Sequence, residues 1–426
     1  MKLWRRFRGL TGAVCMVTSL AGCVSNFGYT PNADMTLAAA ENTDYLEFCA
    51  GSGIRMKPHF AADVSGGIGG HAAFFLNGAC RDPNVNYPTL RMCDQLPPDV
   101  VQGAGVSMDG NFSNANWTVT AGRSFFYDGG VAAGEPFTQA RYLQMERDAE
   151  KLGILNGLVF RPELYADKPA GMSDQDYRYD ISVGTDYGIG LARGRYCARV
   201  PVSRPQMLRM VNFLNAKNEE YAGARHFDGS ILQNNCVHLS HNALAACDIL
   251  NPWPTDQFWP YAVFSFPVPK NDFVNIMRRT NDTKMDDLVA LFHDQPARAL
   301  LMEYGRLPSE PGALATAYVV HAPNDVFDTK VALIFYDDPP IGSYLRHFNA
   351  IFSEPRYTNR IANLTYFASL YAGLDAARKP LAAWETQVPA TEQAAFARFY
   401  ADYYARLTAL RGDISAALAG SSIPVG

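Results

Sequence analysis

Metal-binding signatures are missing from this 426-residue chain: it has no His-Glu-x-x-His and no paired Cys-x-x-Cys motif. The established zinc spacings are therefore excluded. Beyond the N-terminal segment, no run reaches the roughly 18 apolar residues of a membrane span. There is no internal repeat and no low-complexity segment. A Gly-rich stretch at 186–195 has arginines nearby, yet no strand, Gly loop and helix surround it, so a turn is expected there and not a phosphate cradle. Positive charge is also short. Net charge is −5, and losing Lys2, Arg5, Arg6 and Arg8 with the first 22 residues takes it to −9. That acidic balance argues against nucleic acid as a partner. What remains is the composition of a folded globular protein, 48% apolar and 19% charged, in a length that suggests two domains.

Residues 1–22 have the form of a targeting segment: basic to Arg8, apolar over 9–20, then Leu20-Ala21-Gly22-Cys23. The closing tetrapeptide resembles the lipobox of bacterial lipoproteins. The resemblance implies cleavage before Cys23, a lipid on that cysteine, and membrane attachment through it. Val24 and Ser25 supply no aspartate of the kind that retains such proteins at the inner membrane, so the outer membrane, periplasmic face, is implied. Residues 23–44 read as a tether of small and polar side chains.

An exported chain meets an oxidising compartment. Setting aside Cys15 and Cys23 leaves Cys49, Cys80, Cys93, Cys197, Cys236 and Cys247. Cys80 and Cys93 flank a Pro/Asn-rich loop and are the expected pair, while the remaining connectivity stays open. If Cys236 is reduced, at least one more cysteine is free; if all six pair, thiol chemistry is excluded.

Chemistry concentrates at residues 234–244, a loop that turns into a helix with Cys236 at the turn. Asn235 is a good N-cap, Val237, Leu239, Leu244 and Ile249 are apolar, and Asn251-Pro252-Trp253-Pro254 stops the helix. A thiol in the first helical turn sits where the dipole favours negative charge, which predicts a lowered pKa. The candidate base is His71, after the glycine run Gly66-Gly67-Ile68-Gly69-Gly70 and at the mouth of a short buried strand ending in Asn77-Gly78.

Gly70-His71-Ala72-Ala73 followed much later by Asn235-Cys236-Val237-His238 resembles the circularly permuted papain-like thiol hydrolases. These are relatives of the NlpC-type cell-wall peptidases and include lecithin:retinol acyltransferase. The resemblance covers residues 45–255 and implies an α+β fold: an antiparallel sheet packed on helices, with histidine strand before cysteine helix. It implies Cys236 as nucleophile, His71 as base, and a third polar residue orienting the imidazole. Ser107 and Asp109, on the next strand-like run, are the candidates, with Asn77 a weaker one. Asn235 and His238 are expected to support the loop, and His241 to lie on the helix surface. No cofactor is implied. The expected activity is cleavage or transfer at an amide or ester of an envelope peptide, lipid or lipoprotein, through a thioester.

Other elements follow from pattern. Residues 116–127 are expected to continue the sheet, 180–183 and 196–202 to be strands, and a helix to open at 135–136 and run to 149. Ser203 should cap a helix whose Met207, Met210, Val211 and Leu214 share a face. Residues 256–426 are expected to be a mostly α-helical C-terminal domain, with strands at 316–321 and 330–336. His321, Asn324 and Asp325 are expected in a polar turn, or at the edge of a cleft. Two readings compete with the thiol hydrolase: a non-catalytic envelope-binding lipoprotein that keeps the fold, and a zinc-dependent hydrolase using His238 and His241 with Cys247, His226 or His71.

Overall fold

The computed structural model describes residues 44–57, 65–66, 70–94, 102–223, 225–230, 232–257, 268–330 and 343–421. The expected targeting segment, Cys23 and the expected tether up to residue 43 lie outside the described residues. So do residues 67–69 of the glycine run and 331–336 of the second expected C-terminal strand.

In chain order the strands are β1 (Tyr45–Gly51), β2 (Ile54–Arg55), β3 (Ser65–Gly66), β4 (His71–Asn77) and β5 (Ala79–Arg81). They continue with β6 (Leu90–Met92), β7 (Gly103–Ser107), β8 (Thr118–Ala121), β9 (Arg195–Pro201) and β10 (Leu314–Tyr318). Six of them form one sheet, ordered β10-β9-β1-β4-β7-β8, in which every neighbouring pair is antiparallel. The fold is mixed α and β, an antiparallel sheet among many helices with a helical C-terminal region.

Alternation along the strands divides the sheet into two unlike faces. Leu46, Phe48 and Ala50 of β1 sit opposite Leu76, Phe74 and Ala72 of β4, and opposite Val200, Ala198 and Tyr196 of β9. All are buried in the main core with Met207, Leu214, Val237, Leu244 and Phe273 from the flanking helices. The intervening positions, Glu47, Cys49, Ala73 and Phe75, belong to the other face, covered by Phe126, Tyr127 and Ile189. There Glu47 is buried yet paired, its carboxylate meeting Arg123 at 2.9 Å and Arg199 at 3.5 Å.

The second face corrects two expectations. Residues 124–127 do not extend the sheet but belong to the helix Arg123–Asp128, entered through Gly122 at φ 79°. Its Phe126 lies directly on Gly105, where a Cβ would come within 2.0 Å of the ring; packing of the aromatics on a glycine strand overrides their strand preference. Residues 180–183 are likewise not a strand: 180–182 close the helix Asp174–Ser182, capped by Ser173, and an alternation of only four residues is too short for periodicity to decide its type.

Elsewhere the local signals agree with the outcome. Ser203 caps the helix Arg204–Glu219 through a capping box with Gln206, and Met207, Met210, Val211 and Leu214 are buried. The helix expected from 135 begins later, at Gln139, with Thr138 as its cap. Beyond residue 256, β10 pairs with β9, and the helix Pro269–Asp282 packs on β1 and β9. The sheet therefore takes elements from both sides of the 255/256 boundary. The last helices, Arg360–Ala376 and Gln393–Ser421, share a separate core in which Phe367, Tyr371, Phe399 and Tyr403 are buried. No helix among the described residues is long and apolar enough to cross a membrane.

Candidate functional site

Asn235 decides where the cysteine helix starts. Its Oδ1 accepts the backbone N–H of Val237 at 2.9 Å and of His238 at 3.3 Å, and His238 Nδ1 accepts the Asn235 N–H at 3.2 Å. The reciprocal cap satisfies orphan first-turn donors and makes Cys236 the first helical residue. His238 is buried with its ring 5.5 Å from that of Trp253; burial and neighbouring His241 push its pKa down to about 4. Its ring nitrogen ties the helix start back to the Asn235 backbone. His241 corrects the sequence reading: it is buried, not on the surface. Its Nδ1 meets Asp272 Oδ1 at 2.8 Å and its Nε2 the Asn251 carbonyl at 2.9 Å. Burial opposes its charge, but the Asp272 carboxylate and that carbonyl outweigh it and raise its pKa. This pair ties the cysteine helix to the helix Pro269–Asp282.

The structure brings Cys236 to the start of β4. Sγ accepts the backbone N–H of Ala72 at 3.3 Å, one residue from His71. The His71 ring lies on the other side of that backbone step, with Nε2 2.8 Å from Ser107 Oγ. The β4–β7 register sets Ser107 opposite Ala73, which is why the serine and the histidine meet. Both His71 and Cys236 are half-buried, and Cys236 is a free thiol. Among the described residues no hydrogen bond joins the His71 ring to Sγ.

Electrostatics at the pair run against the simple helix-dipole expectation. Burial pushes the Cys236 thiol up, and the amide N–H of Ala72, the Arg193 charge and the amides of Val237 and Cys236 offset only part of it. Burial, reinforced by Arg193, holds His71 well below the ordinary imidazole value. At this site desolvation outweighs one helix turn's dipole. The resting pair is neutral thiol and neutral imidazole.

Of the other candidates for the orienting role, Asn77 is at the far end of β4 and Asp109 does not touch the imidazole. Asp109 instead accepts from the Asn111 N–H at 2.8 Å and from Ser182 Oγ at 3.4 Å. It is buried against Asp186, whose pKa burial and the Asp109 charge raise well above the carboxylate range, and burial raises that of Asp109 as well. Thr118 Oγ1 donates to Asp186 Oδ1 at 2.6 Å and lies 3.3 Å from the Ser107 carbonyl. The acid pair thereby braces the end of β7 without touching His71.

Arg193 was not singled out by the sequence. It is 4% exposed; its Nε donates to the Gly184 carbonyl at 2.6 Å and its Nη1 to the Ser52 carbonyl. It passes over Gly51, where a Cβ would stand 3.0 Å from Arg193 Cδ. Burial lowers its pKa to about 10, with the Cys236 charge acting in the opposite sense. Together with His71, Cys49, Gly51, Ala73, Ile189 and Arg195 it lines a small cavity of about 10 Å³, the room of one water. The only sequence signal was a cluster of arginines in a Gly-rich stretch.

Cys80 pairs with Cys93 as expected, and Cys49 pairs with Cys197, which β1 and β9 place directly opposite each other. Cys247 is a buried thiol, its pKa pushed up to about 12 by burial. His226 is exposed, and among the described residues no three His, Cys, Asp or Glu side chains group to hold a metal. The zinc alternative is left without a ligand set there. His321 and Asn324 form a polar turn: His321 Nε2 meets the Glu135 carbonyl at 2.6 Å, and Asn324 Oδ1 accepts the amides of Val326 and Phe327. Comparison with family models, with curated proteins and with solved structures finds no match for this chain.

Proposed function

We propose that this chain is a thiol hydrolase or acyltransferase of the permuted papain-like kind, carried on the outer membrane by a lipid at Cys23 and acting on an envelope peptide or lipid. One observation carries the reading: a free Cys236 at a capped helix start accepts the amide next to His71, while His71 is held through Nε2 by Ser107. The order of histidine strand before cysteine helix, and the antiparallel sheet on which both rest, support the permuted arrangement.

With Nε2 engaged by Ser107, Nδ1 is the ring nitrogen that takes the thiol proton. That assignment requires the Nε2–H tautomer, donating to Ser107 Oγ. Because the resting pair is neutral, the proton moves from Sγ to Nδ1 as sulfur attacks the carbonyl carbon, and the carbonyl oxygen becomes an oxyanion. The Cys236 N–H at the helix start is a donor suited to that oxyanion. Collapse breaks the bond to the leaving amine or alcohol, which takes the proton from Nδ1 and leaves a thioester. Water, deprotonated by His71, then releases the acid and restores the thiol. Catalytic hydrogen bonds of this type tighten in the substrate complex.

The second reading, a non-catalytic envelope-binding lipoprotein, is favoured by the neutral resting pair and the absence of a thiol–imidazole hydrogen bond among the described residues. Stem-peptide fragments of peptidoglycan and diacyl phospholipid, incubated separately with the soluble chain and its Cys236→Ser variant, distinguish the two. A new free carboxyl group released only by the Cys236 protein supports the enzyme. Equal product, or none, from the two proteins with both substrates supports the binder.

A further inference from the structure

Arg193 is a buried cation with no carboxylate partner among the described residues. Its Nε and Nη1 are committed to the carbonyls of Gly184 and Ser52, and Nη2 has no hydrogen-bond partner among the described residues. Taking a charge out of water is costly unless an opposite charge compensates it. The neighbouring Arg195 is compensated: it lies between the rings of Tyr127 and Tyr318, at 4.6 and 4.5 Å from their centroids, with the Asp128 carboxylate at 4.0 Å. The absence of a side chain at Gly51 leaves the space that Arg193 occupies. Arg193 also shares its small cavity with His71, on the flank of the reacting pair.

Building on the thiol reading, we propose that Arg193 makes this an anion-selecting site, whose substrate carries a carboxylate close to the acyl group that Cys236 attacks. The carboxylate supplies the missing counter-charge by accepting from Nη2. A charge-assisted bond of this type contributes affinity as well as orientation. The cavity of about 10 Å³ has room for a single carboxylate oxygen beside Arg193 and none for a phosphate headgroup. A peptide ending or branching near the scissile amide in a free carboxylate has this chemistry.

The test is alkylation of Cys236 in the soluble chain by iodoacetate and by iodoacetamide, a carboxylate and its neutral amide, followed by peptide mass. In both reactions the sulfur–carbon bond forms as iodide leaves. The proposal expects iodoacetate to react faster than iodoacetamide at Cys236. The rate ratio should fall about tenfold or more in Arg193→Gln, from the worth of one charge-assisted bond, and be partly kept in Arg193→Lys. Acetate should protect Cys236 at a fixed ionic strength where inorganic phosphate does not. Equal rates for the two reagents in the wild-type chain overturn the proposal, as does a loss of both rates together in Arg193→Gln, which makes the thiolate the arginine's only anion. Protection by phosphate alone overturns the carboxylate assignment. Failure of both reagents to label Cys236 instead sinks the thiol-hydrolase reading on which the proposal rests.

Discussion

The backbone N–H of Ala72 points at Cys236 Sγ from 3.3 Å, joining two segments 164 residues apart in the chain. Neither partner is free to choose another position. Ala72 is fixed by its pairing with Ala50 in the middle of the sheet, and Cys236 by the Asn235 cap. The thiol is thus seated against the strand that carries His71 by strand pairing and one side-chain cap.

If Asn235 sets that seat, removing its cap moves the thiol. Asn235→Ala is expected to cost about 1 kcal/mol or more of stability, the usual worth of an N-cap, since two first-turn amides lose their acceptor. Cys236 alkylation should fall by more than that destabilisation explains. Denaturant unfolding and labelling on the same preparation check it.

Ser107 is assigned to hold the imidazole. Ser107→Ala is expected to lower kcat about tenfold to a hundredfold with little change in KM, because a misdirected base costs transition-state stabilisation and not substrate binding. Ser107→Thr, which keeps the hydroxyl, should recover part of the loss. An Asp109→Asn variant that matched Ser107→Ala in kcat, with the fold intact, would shift the orienting role to the acid pair.

His238 gives the fold an acid-side weakness. Its folded pKa is about 4 against an ordinary 6.5. As pH falls through that interval the unfolded chain takes up a proton that the folded chain refuses, so stability is lost. The full effect is about 3 kcal/mol. His241 works in the opposite sense, because its raised pKa contributes stability that is present below pH 6.5 and lost as pH rises. His238→Gln should flatten the acid limb of the stability curve; an unchanged slope would mean that the group titrates normally in place.

Gly105 carries the aromatic cover of the second sheet face. With a Cβ only 2.0 Å from the Phe126 ring, Gly105→Ala must displace that ring, at a cost of about 1–3 kcal/mol for overpacking. A thermal melt that matched the wild type would show that the ring yields freely.

Much of the site was legible because its signals are local. Asn before Cys is a cap, and the cap fixes the thiol; His71 opening an apolar run is a strand mouth. Ser107 entered as a candidate only because it lay on the next strand-like run, and the β4–β7 register, which no local pattern encodes, singled it out from Asp109. The Cys49–Cys197 disulfide was invisible for the same reason, being a consequence of the β1–β9 register. Arg193 and the burial of His241 were missed because their partners, Ser52, Gly184, Asp272 and Asn251, come from distant segments. The direction of the thiol's pKa was misjudged for a different reason: helix position predicts the dipole but says nothing of desolvation.

The most direct measurement is the rate of Cys236 alkylation by iodoacetamide as a function of pH, in the wild type and in His71→Ala. The account predicts two inflections in the wild type: one set by His71 below the ordinary imidazole range, and one from the thiol above the ordinary value near 8.5. His71→Ala should lose the first, and with it the reactivity at neutral pH. A single thiol inflection shared by both proteins, or no labelling of Cys236 at any pH, would contradict the pairing of His71 with Cys236.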